Sequence, residues 1–155
     1  MIRLANENDI SVICSIRDQI HELHVKGRPD IYRIPDNPEE FHASLKDSFS
    51  QENYRLFVSE KDDTIIGYAL VRIVNREESL ISQKRCFYFI EEFAIEKSEQ
   101  RKGYGKELMQ FIINTVKANQ ADSLNLEVWG FNKEAENFYQ SFGMATQRTS
   151  LELIF

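Results

Sequence analysis

What this chain has little of narrows it first. Among 155 residues there are 2 cysteines, 3 prolines, 6 glycines and 1 tryptophan. Cys14 and Cys86 stand far apart and match neither a metal-ligand spacing nor CxxC, so a disulfide framework and a cysteine metal site are excluded. Both read as small buried hydrophobes. Glycine and proline nowhere gather into a linker or a low-complexity tract, and no internal repeat is visible. No apolar run has the length needed to span a bilayer. Met1–Asn6 is followed by Glu7 and Asp9 and lacks the pattern of a secretory signal, so a cytoplasmic location is expected. Cations are outnumbered, 19 to 25, for a net charge of −6. That balance disfavours nucleic acid or an anionic membrane as a partner and mildly favours cationic or amine substrates.

What is present is a chain that can bury a core. Hydrophobic residues make up 42%, and the length suits one domain, residues 1–155. A short strand at Met1–Leu4 leads to a helix over about Asp9–Val25, with Ile10, Ile13, Ile16, Ile20 and Leu23 as its apolar stripe. A loop with Gly27, Pro29 and Pro35 follows. Asn37-Pro38 then opens a second helix running to about Phe49. Strands are expected at Arg55–Glu60 and Thr64–Val74, joined by a turn at Asp62-Asp63, with Gly67 at a bulge or close approach. After a charged loop comes an apolar central strand beginning at Phe87, then a helix from Gly103 to about Asn119. Leu124–Trp129 alternates like a half-exposed strand. A short helix spans Lys133 to about Ser141, and Thr149–Phe155 reads as a strand closing the sheet.

The chemistry concentrates between the central strand and the helix after it. Strand, polar turn, glycine pair and helix is an arrangement suited to anions. First-turn amides have no partner, the helix dipole adds positive charge, and glycine admits close approach. Arg101, Lys102 and Lys106 add cations. The spacing excludes two familiar phosphate loops. Lys106 is followed by Glu107 where a P-loop needs Ser or Thr, and Leu108 stands where a dinucleotide fingerprint needs Gly or Ala. What remains is Gln100-x-x-Gly103-x-Gly105.

That motif resembles the Gln/Arg-x-x-Gly-x-Gly/Ala signature of the GCN5-related N-acetyltransferases. A second segment, Asn132-Lys133-Glu134-Ala135-Glu136-Asn137-Phe138-Tyr139 through Gly143-Met144, is similar to that family's Asn-x-x-Ala-x-x-Phe-Tyr-x-x-x-Gly-Phe, with Met144 in place of Phe. The resemblance covers roughly Asp62 onward. It implies one mixed, mostly antiparallel twisted sheet flanked by helices, the acyl-CoA N-acyltransferase fold. It also implies acetyl-CoA as co-substrate, an amine acceptor and no metal. A homodimer is left open.

By the same resemblance, the pantetheine arm pairs with the main chain of Phe93, Ala94 and Ile95. The pyrophosphate rests on Gln100, Arg101, Lys102, Gly103, Tyr104, Gly105 and Lys106. Asn132 holds the pantetheine amide, Tyr139 lies near the thioester sulfur, and Phe138 is a further cofactor-binding residue. Each of these residues also has a plain structural reading: Asn132 as a helix cap, Phe138 as core, Tyr139 as a packed aromatic.

A primary amine must lose a proton before it attacks a thioester, and an alkylammonium titrates near 10.4. Glu91 and Glu92 are the acids in the middle of the central strand, on opposite faces if the alternation is regular. Glu91 matches the position of an acid in similar family members and is the expected base. A bulge that exchanges the faces would favour Glu92, and ordered water can carry the proton instead. The acceptor is expected between the two N-terminal helices and the Arg28–Ile34 loop, with Asp30 and Tyr32 beside a cationic amine. His21 and His24 share a helix face there without the further ligands a metal would need. A non-catalytic acetyl-CoA sensor and an interaction module on the same fold are the alternative functions.

Overall fold

The apolar and alternating runs pair into one five-stranded sheet, in a computed structural model that describes every residue from Met1 to Phe155. The strands are β1 (Ile2–Leu4), β2 (Tyr54–Lys61), β3 (Thr64–Arg76), β4 (Arg85–Ile95) and β5 (Ser123–Leu126). They lie side by side in chain order. Neighbours from β1 to β4 are antiparallel, and β5 is parallel to β4. Helices α1 (Ile10–Gly27) and α2 (Pro38–Phe49) cover one face. Helices α3 (Tyr104–Ala118) and α4 (Lys133–Gln140) lie on the other. No helix is long and apolar enough to cross a membrane.

Each face has its own core. Ile13, Ile16, Leu45, Val58, Tyr68 and Leu70 are packed between sheet and α1–α2. Val71, Ile90, Leu108, Met109 and Ile112 do the same beneath α3. The expected local devices are in place. Asp62 and Asp63 both take positive φ, 48° and 59°, the left-handed pair that a two-residue hairpin turn requires. Asn37 caps α2 by accepting from the amides of Glu39 and Glu40, with Pro38 in the first turn. Gly67 is a close approach: a Cβ there would stand 2.4 Å from Ile95 Cδ1 and 2.7 Å from the Ala94 carbonyl oxygen. That contact presses β3 onto the end of β4.

Four expectations give way. Residues 149–155 form no strand, so β5 is the edge of the sheet. Alternation shows that a segment suits a ladder, but a strand exists only where a neighbour supplies one. β5 stops at Leu126 instead of Trp129, because a turn closed by the Asn132 amide on the Trp129 carbonyl (2.8 Å) lifts the chain off the sheet. Cys86 is half-buried, while Cys14 is buried as expected. Last, Glu91 and Glu92 do not face opposite sides. Leu70 pairs with Glu92 and Val71 with Ile90, so Glu91 is the extra residue of a β-bulge. Ile90 and Phe93 both belong to the α3 side. The two residues between them must therefore both turn towards α1 and α2.

Candidate active site

β4 is longer than the strand beside it. β5 pairs with Phe87–Ile90 only, so the main chain from Glu91 to Ile95 has no strand on that side. The bulge lies where the two strands part. Along this free edge only the Ile95 carbonyl is engaged locally, by the Gln100 side-chain amide at 2.9 Å. Phe93 and Ala94 thus have main-chain groups open to an extended ligand, whereas Ile95 shares its carbonyl with Gln100.

The loop after β4 has the build of an anion site. Asparagine side chains cap α2 and α4. α3 begins at Gly103 with no side-chain cap, and its first intrahelical bond is made by the Glu107 amide. The amides of Tyr104, Gly105 and Lys106 are therefore free to meet an anion. Arg101 (φ 63°) and Gly103 (φ 96°) are both left-handed, and a Cβ on Gly103 would meet nothing within 4 Å. Arg101 pairs with Glu134 at 2.8 Å and Lys102 with Glu99 at 3.1 Å; Lys106 has no carboxylate partner. Lys102 first, then Lys61, hold the Glu99 carboxyl below the usual carboxylate range.

Tyr139 lies on the α3–α4 side of the free edge. Its ring packs on Phe93 (6.2 Å between centroids) and Phe138 (5.3 Å). Its hydroxyl makes no hydrogen bond within the chain, and burial pushes its pKa up to about 12. Phe138 packs on Phe93 and Phe142, under Gly105. Asn132 caps α4, its Oδ1 accepting from the Ala135 amide at 3.1 Å, so only its amide nitrogen is left for a ligand.

On the α1–α2 side are the two glutamates, each held by an arginine that sequence reading missed. Glu92 accepts from Arg17, with Nη2 2.7 Å from Oε1, and from the Tyr68 hydroxyl at 2.7 Å. Burial, then Glu92, push the Tyr68 phenol well above its ordinary value. Glu91, more exposed, pairs with Arg72. Arg17 sits one position beyond Ile16 of the apolar stripe, which was the one available sign that it turns inward.

Beyond them is an aromatic group that includes Tyr32. Tyr32 stacks on His24 (5.4 Å), meets His21 edge-on (6.2 Å), and its hydroxyl accepts from Trp129 Nε1 at 3.1 Å. Burial, then His21, lower the pKa of His24. Asp30 departs from expectation: both its oxygens are taken by Arg28, whose guanidinium also lies 5.1 Å from the Trp129 ring. Trp129 joins this group because β5 ends early, which sequence could not show.

A family model described as the acetyltransferase (GNAT) family matches residues 17–144. The chain belongs to this family. A variant of the BH1408 protein from Bacillus halodurans shares 30% identity over 100% of this chain and 99% of that one, with a TM-score of 0.91. An acetyltransferase from Vibrio fischeri shares 26% identity over 83% of this chain and 96% of that one, with a TM-score of 0.67. An aminoglycoside acetyltransferase from an uncultured soil sample, solved with sisomicin, is alike in fold alone. Its TM-score is 0.70 at 18% identity, covering 100% of this chain and 94% of that one. GNAT membership implies acyl transfer from acetyl-CoA. The uncapped start of α3, with open space at Gly103, fits the phosphates of that co-substrate.

Proposed function

We propose that this GNAT protein moves the acetyl group of acetyl-CoA directly onto a primary amine, with both substrates bound together. One arrangement carries the reading. The free edge of β4 has two carboxylates on one side and an unengaged tyrosine hydroxyl on the other. Acetyl-CoA, when bound, supplies the reactive thioester. The chain supplies the rest. Amides of Tyr104–Lys106 hold phosphate, with Gln100, Arg101 and Lys102 around them. Main-chain groups of Phe93, Ala94 and Ile95, with the Asn132 amide nitrogen, hold the pantetheine. N–H groups along that strand edge stabilise charge growing on the carbonyl oxygen.

Glu91 is the base in this reading, directly or through one water. It is the more open of the two carboxylates, while Glu92 is tied to Arg17 and Tyr68. Glu91→Gln should flatten the alkaline-rising limb of the pH–rate profile and leave melting nearly unchanged. Glu92→Gln should act mainly on the fold, costing roughly 1–3 kcal/mol because Arg17 loses its charge partner. A flattened limb in Glu92→Gln alone reverses the roles; an intact limb in both assigns the proton to water.

The amine reaches Glu91 from the α1–α2 side, past His21, Tyr32 and Trp129. These rings offer π faces to a cation, worth about 0.5–2 kcal/mol. Tyr32→Ala should raise KM for the amine several-fold with unaltered acetyl-CoA affinity. A rise in KM for acetyl-CoA alone removes the acceptor from this face. The reaction itself is tested by coenzyme A release across a panel of polyamines, amino sugars and peptides. Acetyl-CoA binding without thiol release from any of them leaves the sensor reading in its place.

A further inference from the structure

Arg28 directly follows α1, and its main chain makes the turn that leads to Tyr32. Its amide donates to the His24 carbonyl at 2.8 Å, and its carbonyl accepts from the amides of Ile31 (3.0 Å) and Tyr32 (2.9 Å). Phe131 presses on this turn, since a Cβ on Gly27 would stand 2.3 Å from its ring. The Arg28 side chain is 19% exposed and lies over Trp129. Asp30 holds it from the side, with Nε 2.9 Å from Oδ1 and Nη2 2.7 Å from Oδ2.

A guanidinium has two edges that can grip a carboxylate with paired N–H groups. Asp30 fills the edge made by Nε and Nη2. The edge made by Nη1 and Nη2 carries one bond, from Nη2 to the Glu152 carboxylate at 2.8 Å, while Nη1 donates to nothing in the chain. Glu152 is 53% exposed, and this is the only hydrogen bond that residues 148–155 make. Of the two partners the arginine is therefore fixed and the glutamate loose. Half of a bidentate edge is occupied, by a carboxylate that little else keeps there.

We infer, given the amine transfer proposed above, that this edge of Arg28 binds a carboxylate of the acceptor, so that the amine acetylated belongs to an amino acid or another compound carrying both groups. Trp129 lies beneath the guanidinium and donates to the Tyr32 hydroxyl, and Tyr32 stacks on His24. The carboxylate is thus held at the outer end of the rings that the amine passes. An acceptor carboxylate can bond Nη1 and Nη2 together where Glu152 bonds Nη2 alone, and so displaces it. An ammonium at the same place would face the fixed guanidinium and be repelled, which excludes a simple diamine from this position.

Calorimetric titration tests this. ω-Amino acids of graded chain length, their primary amides and the matching diamines are titrated into the full chain loaded with coenzyme A. Thiol release from acetyl-CoA is followed with the same compounds. The best acid should bind roughly tenfold more tightly than its amide, the scale of a charge-assisted hydrogen bond, and diamines no better than amides. Glu152→Gln, at an exposed residue, should tighten the acids several-fold without affecting the amides. Arg28→Gln should bring acids and amides level. Arg28→Lys should restore part of the preference, because an ammonium lacks the planar fork. Acids no tighter than amides, tighter binding of diamines, acids indifferent to Glu152→Gln, or a preference that survives Arg28→Gln overturns the inference, even with thiol release intact. Preferred binding of acids without thiol release from any compound would remove the transfer reaction and leave the carboxylate site standing.

Discussion

Gly105→Asp should abolish acetyl-CoA binding and leave the fold standing. A Cβ at this position meets Ile95 Cγ1 at 3.5 Å and Phe138 Cζ at 3.6 Å, ordinary contact distances, so the backbone has no reason to move. A carboxylate in the first turn of α3 is favourable to the helix itself, by about 0.3–1 kcal/mol. The same charge faces the place assigned to the pyrophosphate, where unit charges about 4 Å apart repel by roughly 4 kcal/mol at an effective dielectric of 20. Affinity should therefore fall at least about a hundredfold, or ~2.7 kcal/mol. Gly105→Ala, with the same Cβ and no charge, should bind within a few-fold of wild type. Calorimetric titration beside thermal melting separates the effects. Tight binding by the Asp variant, with an unchanged melt, would place the phosphates elsewhere.

Tyr139→Phe should lower kcat by roughly tenfold to a thousandfold with little change in acetyl-CoA affinity. A phenol is already neutral at pH 7, and burial lifts the Tyr139 pKa further, to about 12. A thiol titrates near 8.5, so full proton donation from Tyr139 to a leaving thiolate runs uphill. In the proposed reaction the hydroxyl would instead donate a hydrogen bond that strengthens as charge collects on sulfur. Its freedom from partners within the chain suits that role. A second consequence is independent of catalysis. A tyrosine titrating near 10 when unfolded and near 12 when folded contributes stability that is whole below pH 10. That share is lost as pH rises from about 10 to about 12, and Tyr139→Phe should shallow the decline. An unaltered kcat in the variant would return Tyr139 to a packing role beside Phe93 and Phe138.

The two motifs were legible because each depends on neighbours in sequence. The Gly103-x-Gly105 turn and the uncapped start of α3 are made by consecutive residues. So are the Asn37 and Asn132 caps and the Asp62-Asp63 hairpin. Periodicity gave α1 the buried face of Ile10, Ile13 and Ile16 for the same reason, although Leu23 of the expected stripe is exposed. The resemblance to the acetyltransferase family rested on such short-range patterns, and the family match over residues 17–144 agrees with it.

Three features were not legible, and each depends on chain segments distant in sequence. The bulge at Glu91 exists only in the register of β4 against β3, and it places both glutamates on one face where alternation predicts two. Arg17 and Arg72 could not be matched to Glu92 and Glu91 before α1 and β3 were packed against β4. Trp129 became a neighbour of Tyr32 only when β5 ended at Leu126. The sequence by itself determined the helices, the hairpin and the glycine turn before α3, since local hydrogen bonding and hydrophobic period suffice for them. Only the tertiary structure decided which way Glu91 and Glu92 face, and whether residues 149–155 lie in the sheet. A strand's register and partner are set by long-range pairing, and a shift of one residue sends every later side chain to the other face.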